Sequence, residues 1–408
     1  MNGQLPGSAP DWRALRPTVI ALLGLILPMM LTFVLPKRLE DLGAPLDTVG
    51  RIMSMWGWAP MLLIPIIGHF MDRYGRKPFA LTGALLMAIS SIGFALASTP
   101  DWPVYACRAV QGLGFVMGYT AITAAQADLS PGSVLPRVYL VTGIWALLMH
   151  VIGPVAGELI YRQFGYAPVA WLALAASLVA AGMILVLPES RTANPAGTPP
   201  EAPNGIIRFM RERGILPVLF FNLVEVAAYT ATVTFIMTFA RAQGLPSTRL
   251  FFFAYPLMGI ALRLLFSRAP GRFGTQRVIY ATMIFYVAGI GSLAWLQTPA
   301  HLFIAGLAVG AGITFVNPLL SALAIERAGD PAYTGRISGW FVFAWCLGGT
   351  LAPLLFGIVA GNAGYPAMFL SVAAMLLAGN LLFAWSDWRL ARIVSAPLFP
   401  PMRGTPLR

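Results

Sequence analysis

The sequence predicts an all-α membrane protein of twelve transmembrane helices in two six-helix bundles. Three observations predict it. Of 408 residues, 58% are hydrophobic and only 10% charged, against about 25% charged in a soluble domain. With a mean hydropathy of +0.75, that much apolar surface needs lipid as its solvent. Apolar runs of about 20 residues, long enough to cross a hydrocarbon core at about 1.5 Å per residue, recur along the chain. They fall six and six around one polar linker.

Residues 1–16 form the first segment, expected on the cytoplasmic side. Met1 to Asp11 is polar and rich in Gly and Pro, and the run after Arg16 is long enough to span. That pattern predicts an uncleaved first helix rather than a signal peptide. The first bundle, 17–187, holds spans at 17–36, 48–71, 79–98, 102–126, 136–160 and 167–187. The linker, 188–214, opens with "PESRTANPAGTPPEAPNG", which has no apolar period and reads as solvated chain. It closes with Ile206, Ile207, Phe209 and Met210 among Arg208, Arg211 and Arg213. That is either a short amphipathic helix on an anionic leaflet or a charged cap before the seventh span. The second bundle, 215–386, holds spans at 215–240, 249–267, 277–296, 301–323, 335–359 and 365–386, followed by a tail at 387–408. The 41 Gly and 33 Pro suit membrane helices, whose neighbours satisfy freed backbone groups.

Charge orients the chain. With both termini in the cytoplasm, six of the 27 Lys and Arg lie outside: Lys37, Arg38, Arg51, Arg162, Arg241 and Arg249. Arg108 and Arg263 fall inside spans, and the remaining 19 lie on the cytoplasmic side. The bias follows the positive-inside rule, which an odd number of spans would scramble. The net charge of +12 is thus topological, and no nucleic-acid motif accompanies it. Cys107 and Cys346 sit in apolar runs, and the three His lack metal-ligand spacing. There is no phosphate-binding loop and no Ser/His/Asp or paired-carboxylate arrangement. The expectation is a non-enzyme without metal or cofactor.

Three motifs stand out. "GHFMDRYGRKP" joins the second and third spans. Gly68 allows close helix approach, Asp72 places a carboxylate at the membrane face beside Arg73, Arg76 and Lys77, and Gly75 permits a tight turn. "RAVQGLG" puts Arg108, Gln111, Gly112 and Gly114 in the fourth span, where a buried Arg must face the interior. "GPVAGE" gives the fifth span a kinking Pro154, close-packing Gly153 and Gly157, and Glu158. The loop after the eighth span, "PGRFGTQR", echoes the first: Gly271 matches Asp72, Arg272 matches Arg73, and Gly274 matches Gly75. That echo suggests a duplicated six-span unit with its site between the repeats.

These motifs resemble those of the Major Facilitator Superfamily, most closely its sugar- and drug-efflux, arabinose-efflux-like branch. The resemblance covers nearly the whole chain. It implies alternating access, a conformational latch at Gly68 to Lys77, a proton-linked role for Arg108, and the exporter-associated motif in the fifth span. Met149 and Glu158 depart from the exporter pattern. Gly271 replaces the acid usual in the later loop, which leaves the second latch in doubt.

Charges at mid-bilayer cost about 2.5–3.5 kcal/mol or more and need a reason. Glu225, midway along the seventh span, shares a helical face with Asn222 and Tyr229. It is the leading candidate for a proton-coupling or substrate carboxylate, the alternative being an acid paired with a buried Arg. His150 and Glu158 align on one face of the fifth span, and an unperturbed imidazole pKa of about 6.5 suits proton exchange. Arg263 is a candidate anchor or ligand-binding cation. Trp56, Trp58, Trp145, Trp340 and Trp345 are candidates for a cavity wall or for interface anchors.

The expected function is secondary active transport of a small organic molecule across a bacterial inner membrane, as proton-coupled export by a monomer. Its partners are substrate, protons and lipid. Two alternatives stand beside it. One is proton-coupled import of an organic anion held by Arg108 and Arg263. The other is a non-transporting receptor or scaffold of the same fold.

Overall fold

The computed structural model describes residues 10–130, 134–188, 205–266, 269–329 and 333–395; at 64–69, 72–73, 136, 269–270, 334–335 and 391–395 it describes the backbone only. Helix α1 (Trp12–Leu31) runs through a 3-10 turn (Thr32–Val34) into α2 (Leu35–Asp41). Next come α3 (Leu46–Tyr74), α4 (Lys77–Leu96), α5 (Trp102–Asp128), α6 (Leu135–Phe164) and α7 (Tyr166–Val186). Helix α8 (Ile206–Glu212) falls where the interleaved Arg and apolar residues allowed a short helix. Then follow α9 (Ile215–Ala242), α10 (Arg249–Phe266), α11 (Ala269–Phe273), α12 (Thr275–Ser292), α13 (Pro299–Ala328) and α14 (Thr334–Ser395). Helix α14 is two helices broken at Gly364, where φ is 80°.

Each predicted span lands on one of these helices. Among the described residues, nine helical stretches are long and apolar enough to cross a membrane, the last holding both parts of α14. Helices α3 and α5 are not among them. Helix α5 carries Arg108, Gln111 and Gln126, and all three are buried in the protein rather than offered to lipid.

Local chemistry sets the helix ends. The Asp11 carboxylate accepts from the backbone N–H groups of Arg13 (3.0 Å) and Ala14 (3.4 Å) at the start of α1. Prolines open α4, α5 and α13, where the missing N–H has no helical partner to lose. The suggested repeat reappears in backbone angles. Gly75 (φ 95°) and Gly274 (φ 89°) make the same left-handed turn in the two matched loops. A second pair shares this geometry: Gly165-Tyr166 (φ 81° at the Gly) and Gly364-Tyr365 (φ 80°).

The helices pack as two sets. In the first, α4 packs on α5 and α7, α1 on α5, α6 and α7, and α3 on α5; in the second, α9 packs on α14, α10 and α12 on α13, and α12 on α14. The sets meet chiefly where α3 lies on α14 and α6 on α10, with α2 touching α9. The fold therefore places the residues of α3, α6, α10 and α14 on one seam.

Candidate functional site

The α6–α10 line of the seam is antiparallel, and side chains can be followed along it. The Arg263 guanidinium lies against Gly143, Leu147 against Gly259, the His150 ring edge-on to Tyr255 at 6.3 Å, and Glu158 against Thr248. His150 and Glu158 thus both face α10. The α3–α14 line is also antiparallel. Gly50 sits on the Pro353 carbonyl and Gly57 on Thr350, while the Trp56 and Trp345 rings meet at 5.1 Å. A Cβ at either Gly would collide with the facing helix, so these glycines let the sets close.

Midway along the second set, Glu225 is 2% exposed, and its Oε2 has no hydrogen-bond partner. Tyr229 and Tyr286 stand close enough to interact with its charge. The Tyr286 hydroxyl reaches the Glu225 backbone carbonyl at 3.5 Å. The Tyr229 and Tyr255 hydroxyls are 3.3 Å apart. Tyr255 then meets His150 of the other set. His150 Nδ1 contacts the Ala146 carbonyl at 2.9 Å. A carbonyl only accepts, so Nδ1 carries the proton and neutral His150 keeps its acceptor on Nε2. Glu225, Tyr229, Tyr255 and His150 therefore lie in a row across the seam, joined by one hydrogen bond, between the two tyrosine hydroxyls, and by one ring contact, between Tyr255 and His150.

Asn222 is placed differently from Glu225. Its amide nitrogen donates to the Phe341 carbonyl (3.0 Å), and its oxygen accepts from Asn317 Nδ2 (3.1 Å). It ties α9 to α13 and α14. Arg108, 3% exposed, lies inside the first set: Nη1 donates to Gln111 Oε1 and contacts Met29 Sδ at 3.8 Å. Gln111 in turn donates to Thr32 Oγ1 (2.6 Å), and Arg108 Nε has no partner. Among the described residues no ion pair joins Arg108 to Glu225, so these two candidates are not brought together. Arg263 donates to the Thr314 carbonyl (3.2 Å) and lies near enough to act electrostatically on His150 and Tyr119.

At the end of the seam carrying α2, the sets are stitched by charge. Glu158 Oε2 accepts from the Thr248 backbone N–H (3.2 Å) and hydroxyl (3.0 Å). Asp41 pairs with Arg241 and accepts from Tyr161. Arg162 donates to the Pro246 carbonyl (2.8 Å), and Tyr365 to Glu40 (2.7 Å). Glu158 therefore belongs to this closure and not to the Glu225 cluster.

At the opposite end the loop cations bind within the first set. Arg76 pairs with Asp128 (3.4 Å), and Lys77 Nζ donates to the Leu185 and Leu187 carbonyls (2.8 Å each) at the end of α7. The surroundings of Gly68 and the side chains of Asp72 and Arg73 lie outside the described residues. The packing glycines touch their own set: Gly112 the Trp56 backbone, Gly114 α4 at Met87, Gly153 Met30, and Gly157 Val34. Pro154 lies inside α6.

Sequence reading missed Tyr255, Tyr286, Thr248, Asp41 and Arg241. The signal available for the tyrosines was a hydroxyl in an apolar span, which needs a polar partner when buried. Nothing along the chain announces that Thr248 faces Glu158.

The Major Facilitator Superfamily profile matches residues 18–353. A curated relative is the multidrug resistance protein MdtG of Escherichia coli (strain HS), 24% identical over 94% of this chain and 96% of its own. Among solved structures, the nucleoside transporter NupG superposes with a TM-score of 0.72 at 16% identity, over 92% of this chain and 98% of that one. The human organic anion transporter MFSD10 (TETRAN) gives 0.64 at 18% identity, over 92% and 100%. With its helices, its seam and its motifs in that arrangement, the chain belongs to the Major Facilitator Superfamily of membrane transporters.

Proposed function

We propose that this protein exports a small organic molecule across a bacterial inner membrane in exchange for protons, as a monomer with both termini in the cytoplasm. The observation that carries the proposal is the Glu225 carboxylate, buried, with one oxygen unpartnered among the described residues, near Tyr229, whose hydroxyl meets that of Tyr255 beside His150 of the other set. A carboxylate so placed is suited to carry a proton between states, because among the described residues no cation pairs with it.

With the termini cytoplasmic, the stitched α2 end is the outer end, and the seam is shut toward the outside. Substrate then enters from the cytoplasm and displaces the proton from Glu225. Outward opening separates Glu158 from Thr248 and Asp41 from Arg241, releases substrate and reloads the carboxylate. The relative named for multidrug resistance and the exporter-type "GPVAGE" motif favour export. Residues 17–187 and 215–386 act as the two rocking bodies, with Gly68 to Lys77 latching them when the outer end opens. A second reading, uptake of an organic anion, is favoured by Arg263, which reaches the seam and, among the described residues, donates to a backbone carbonyl and to no acid.

The test is proton flux in inside-out vesicles carrying an acid interior, screened with sugars, siderophores and lipophilic drugs. Export by antiport collapses the pH gradient on substrate addition, and Glu225→Gln abolishes the collapse. A confirmed substrate that crosses without proton movement overturns the coupling.

A further inference from the structure

Six cations break the inside-positive bias of the chain, and the fold gathers five of them. Lys37, Arg38, Arg162 and Arg241 line a cavity of about 470 Å³ at the α2 end. An adjoining cavity of about 320 Å³ shares Arg162 and adds Arg249. The sixth, Arg51, is paired on its own helix with Asp47. These five come from four helices, α2, α6, α9 and α10, and from both helix sets. Topology alone brings these cations to one end of the protein; that four of them, from both helix sets, line one cavity is a matter of packing.

The acids in the main cavity do not neutralise it. Asp41 and Glu158 are its two carboxylates. Asp41 is engaged by Arg241 and Tyr161 and Glu158 by the two donors of Thr248, and both also act on Lys37, which leaves two carboxylates against four cations among the lining residues. Arg162 is satisfied by a backbone carbonyl, which carries no charge. Lys37 lies over the Tyr161 ring at 5.8 Å. Arg38 Nε is buried with no hydrogen-bond partner among the described residues. A desolvated guanidinium donor left unpaired is destabilising, and an oxyanion satisfies several such donors at once.

From this geometry we infer that the outer vestibule is an anion-binding site for a phosphate or polyphosphate group, distinct from the Glu225 cluster. Lys37 and Arg38 supply charge from the first set, Arg162 a guanidinium fork beside them, and Arg241 a cation from the second set. The bound group bridges the two halves where they meet. A free phosphorylated solute and the phosphate of an anionic lipid headgroup offer the same chemistry. The naming of this end as outer rests on the topology proposed above; binding measured on purified protein does not depend on that topology or on transport.

The full chain is placed in phosphatidylcholine nanodiscs and titrated with inorganic pyrophosphate against potassium chloride at equal ionic strength. The expected result is a saturable rise in the unfolding midpoint beyond that of chloride. The double variant Lys37→Gln/Arg38→Gln weakens the apparent Kd by about tenfold or more, and Arg51→Gln leaves it unchanged. Should the double variant fold poorly, the exposed Arg162→Gln gives the same reading with a smaller loss. A parallel arm replaces pyrophosphate with phosphatidylglycerol in the disc. Stabilisation there alone, sensitive to the same substitutions, assigns the site to a lipid headgroup. The proposal is overturned if neither anion stabilises beyond chloride, or if the stabilisation survives both substitutions intact.

Discussion

The Glu158 carboxylate on α6 sits on Thr248, one residue before α10, and accepts from both its backbone N–H (3.2 Å) and its hydroxyl (3.0 Å). The contact joins one helix set to the other and places a negative charge at the positive end of α10. Its partner interactions, Asp41 with Arg241 and Arg162 with the Pro246 carbonyl, lie along the same end of the seam.

Glu158→Gln keeps an acceptor and removes the charge. Charge-assisted hydrogen bonds contribute about 1.5–3 kcal/mol against about 1 for neutral ones, so the closed end should open roughly fivefold more often. Ser247→Cys, introduced after replacing Cys107 and Cys346, reports this by labelling with a membrane-impermeant maleimide. An unchanged labelling rate means that Glu158 does not hold the seam.

Glu225→Gln tests a different property. Oε2 of Glu225 makes no hydrogen bond, so the isosteric amide breaks none at that atom. The unfolding midpoint should stay within a few degrees while substrate-driven proton flux disappears. A large drop in the midpoint with flux retained would assign Glu225 to structure instead.

Asn222→Ala should do the reverse. It removes the bonds to Phe341 and Asn317, each contributing about 1 kcal/mol, and leaves Phe341 O and Asn317 Nδ2 without this partner. The midpoint falls and the protons moved per substrate stay the same. A changed stoichiometry would return Asn222 to the coupling site.

Two glycines separate packing from gating. A Cβ at Gly112 runs into the Trp56 backbone within the first set, whereas a Cβ at Gly57 meets Thr350 and the Cys346 carbonyl (2.8 Å) across the seam. Overpacking costs about 1–3 kcal/mol. Gly112→Ala should therefore lower the unfolding midpoint. Gly57→Ala should leave it nearly unchanged, speed labelling at Ser247→Cys and slow transport. Equal loss of stability in both would place Gly57 within a rigid core.

Every long helix was legible along the chain, because lipid imposes one length and one composition on each span. Helix α5 was found by length despite Arg108, Gln111 and Gln126. The matched loops at Gly75 and Gly274 were visible because the glycines sit at equivalent positions, and the Gly165 and Gly364 pair is told from other glycines by its backbone angle. Glu225, His150 and Glu158 stood out as ionisable groups in apolar runs. Their partners did not: Tyr255 looks like any aromatic in a span, and Thr248 looks like loop.

The sequence by itself determined that the chain crosses the membrane many times, which end its cations favour, and which buried groups needed a purpose. These are one-dimensional properties, written in run length, charge bias and single residues out of place. Tertiary structure alone decided the rest. It separated Arg108 from Glu225, gave Asn222 to packing, carried Glu158 to the closed end, and drew Lys37, Arg38, Arg162 and Arg241 around one cavity. Those outcomes depend on which faces of α3, α6, α10 and α14 meet across the seam. That choice is made by side-chain packing between helices about a hundred to three hundred residues apart, and local periodicity carries no record of it.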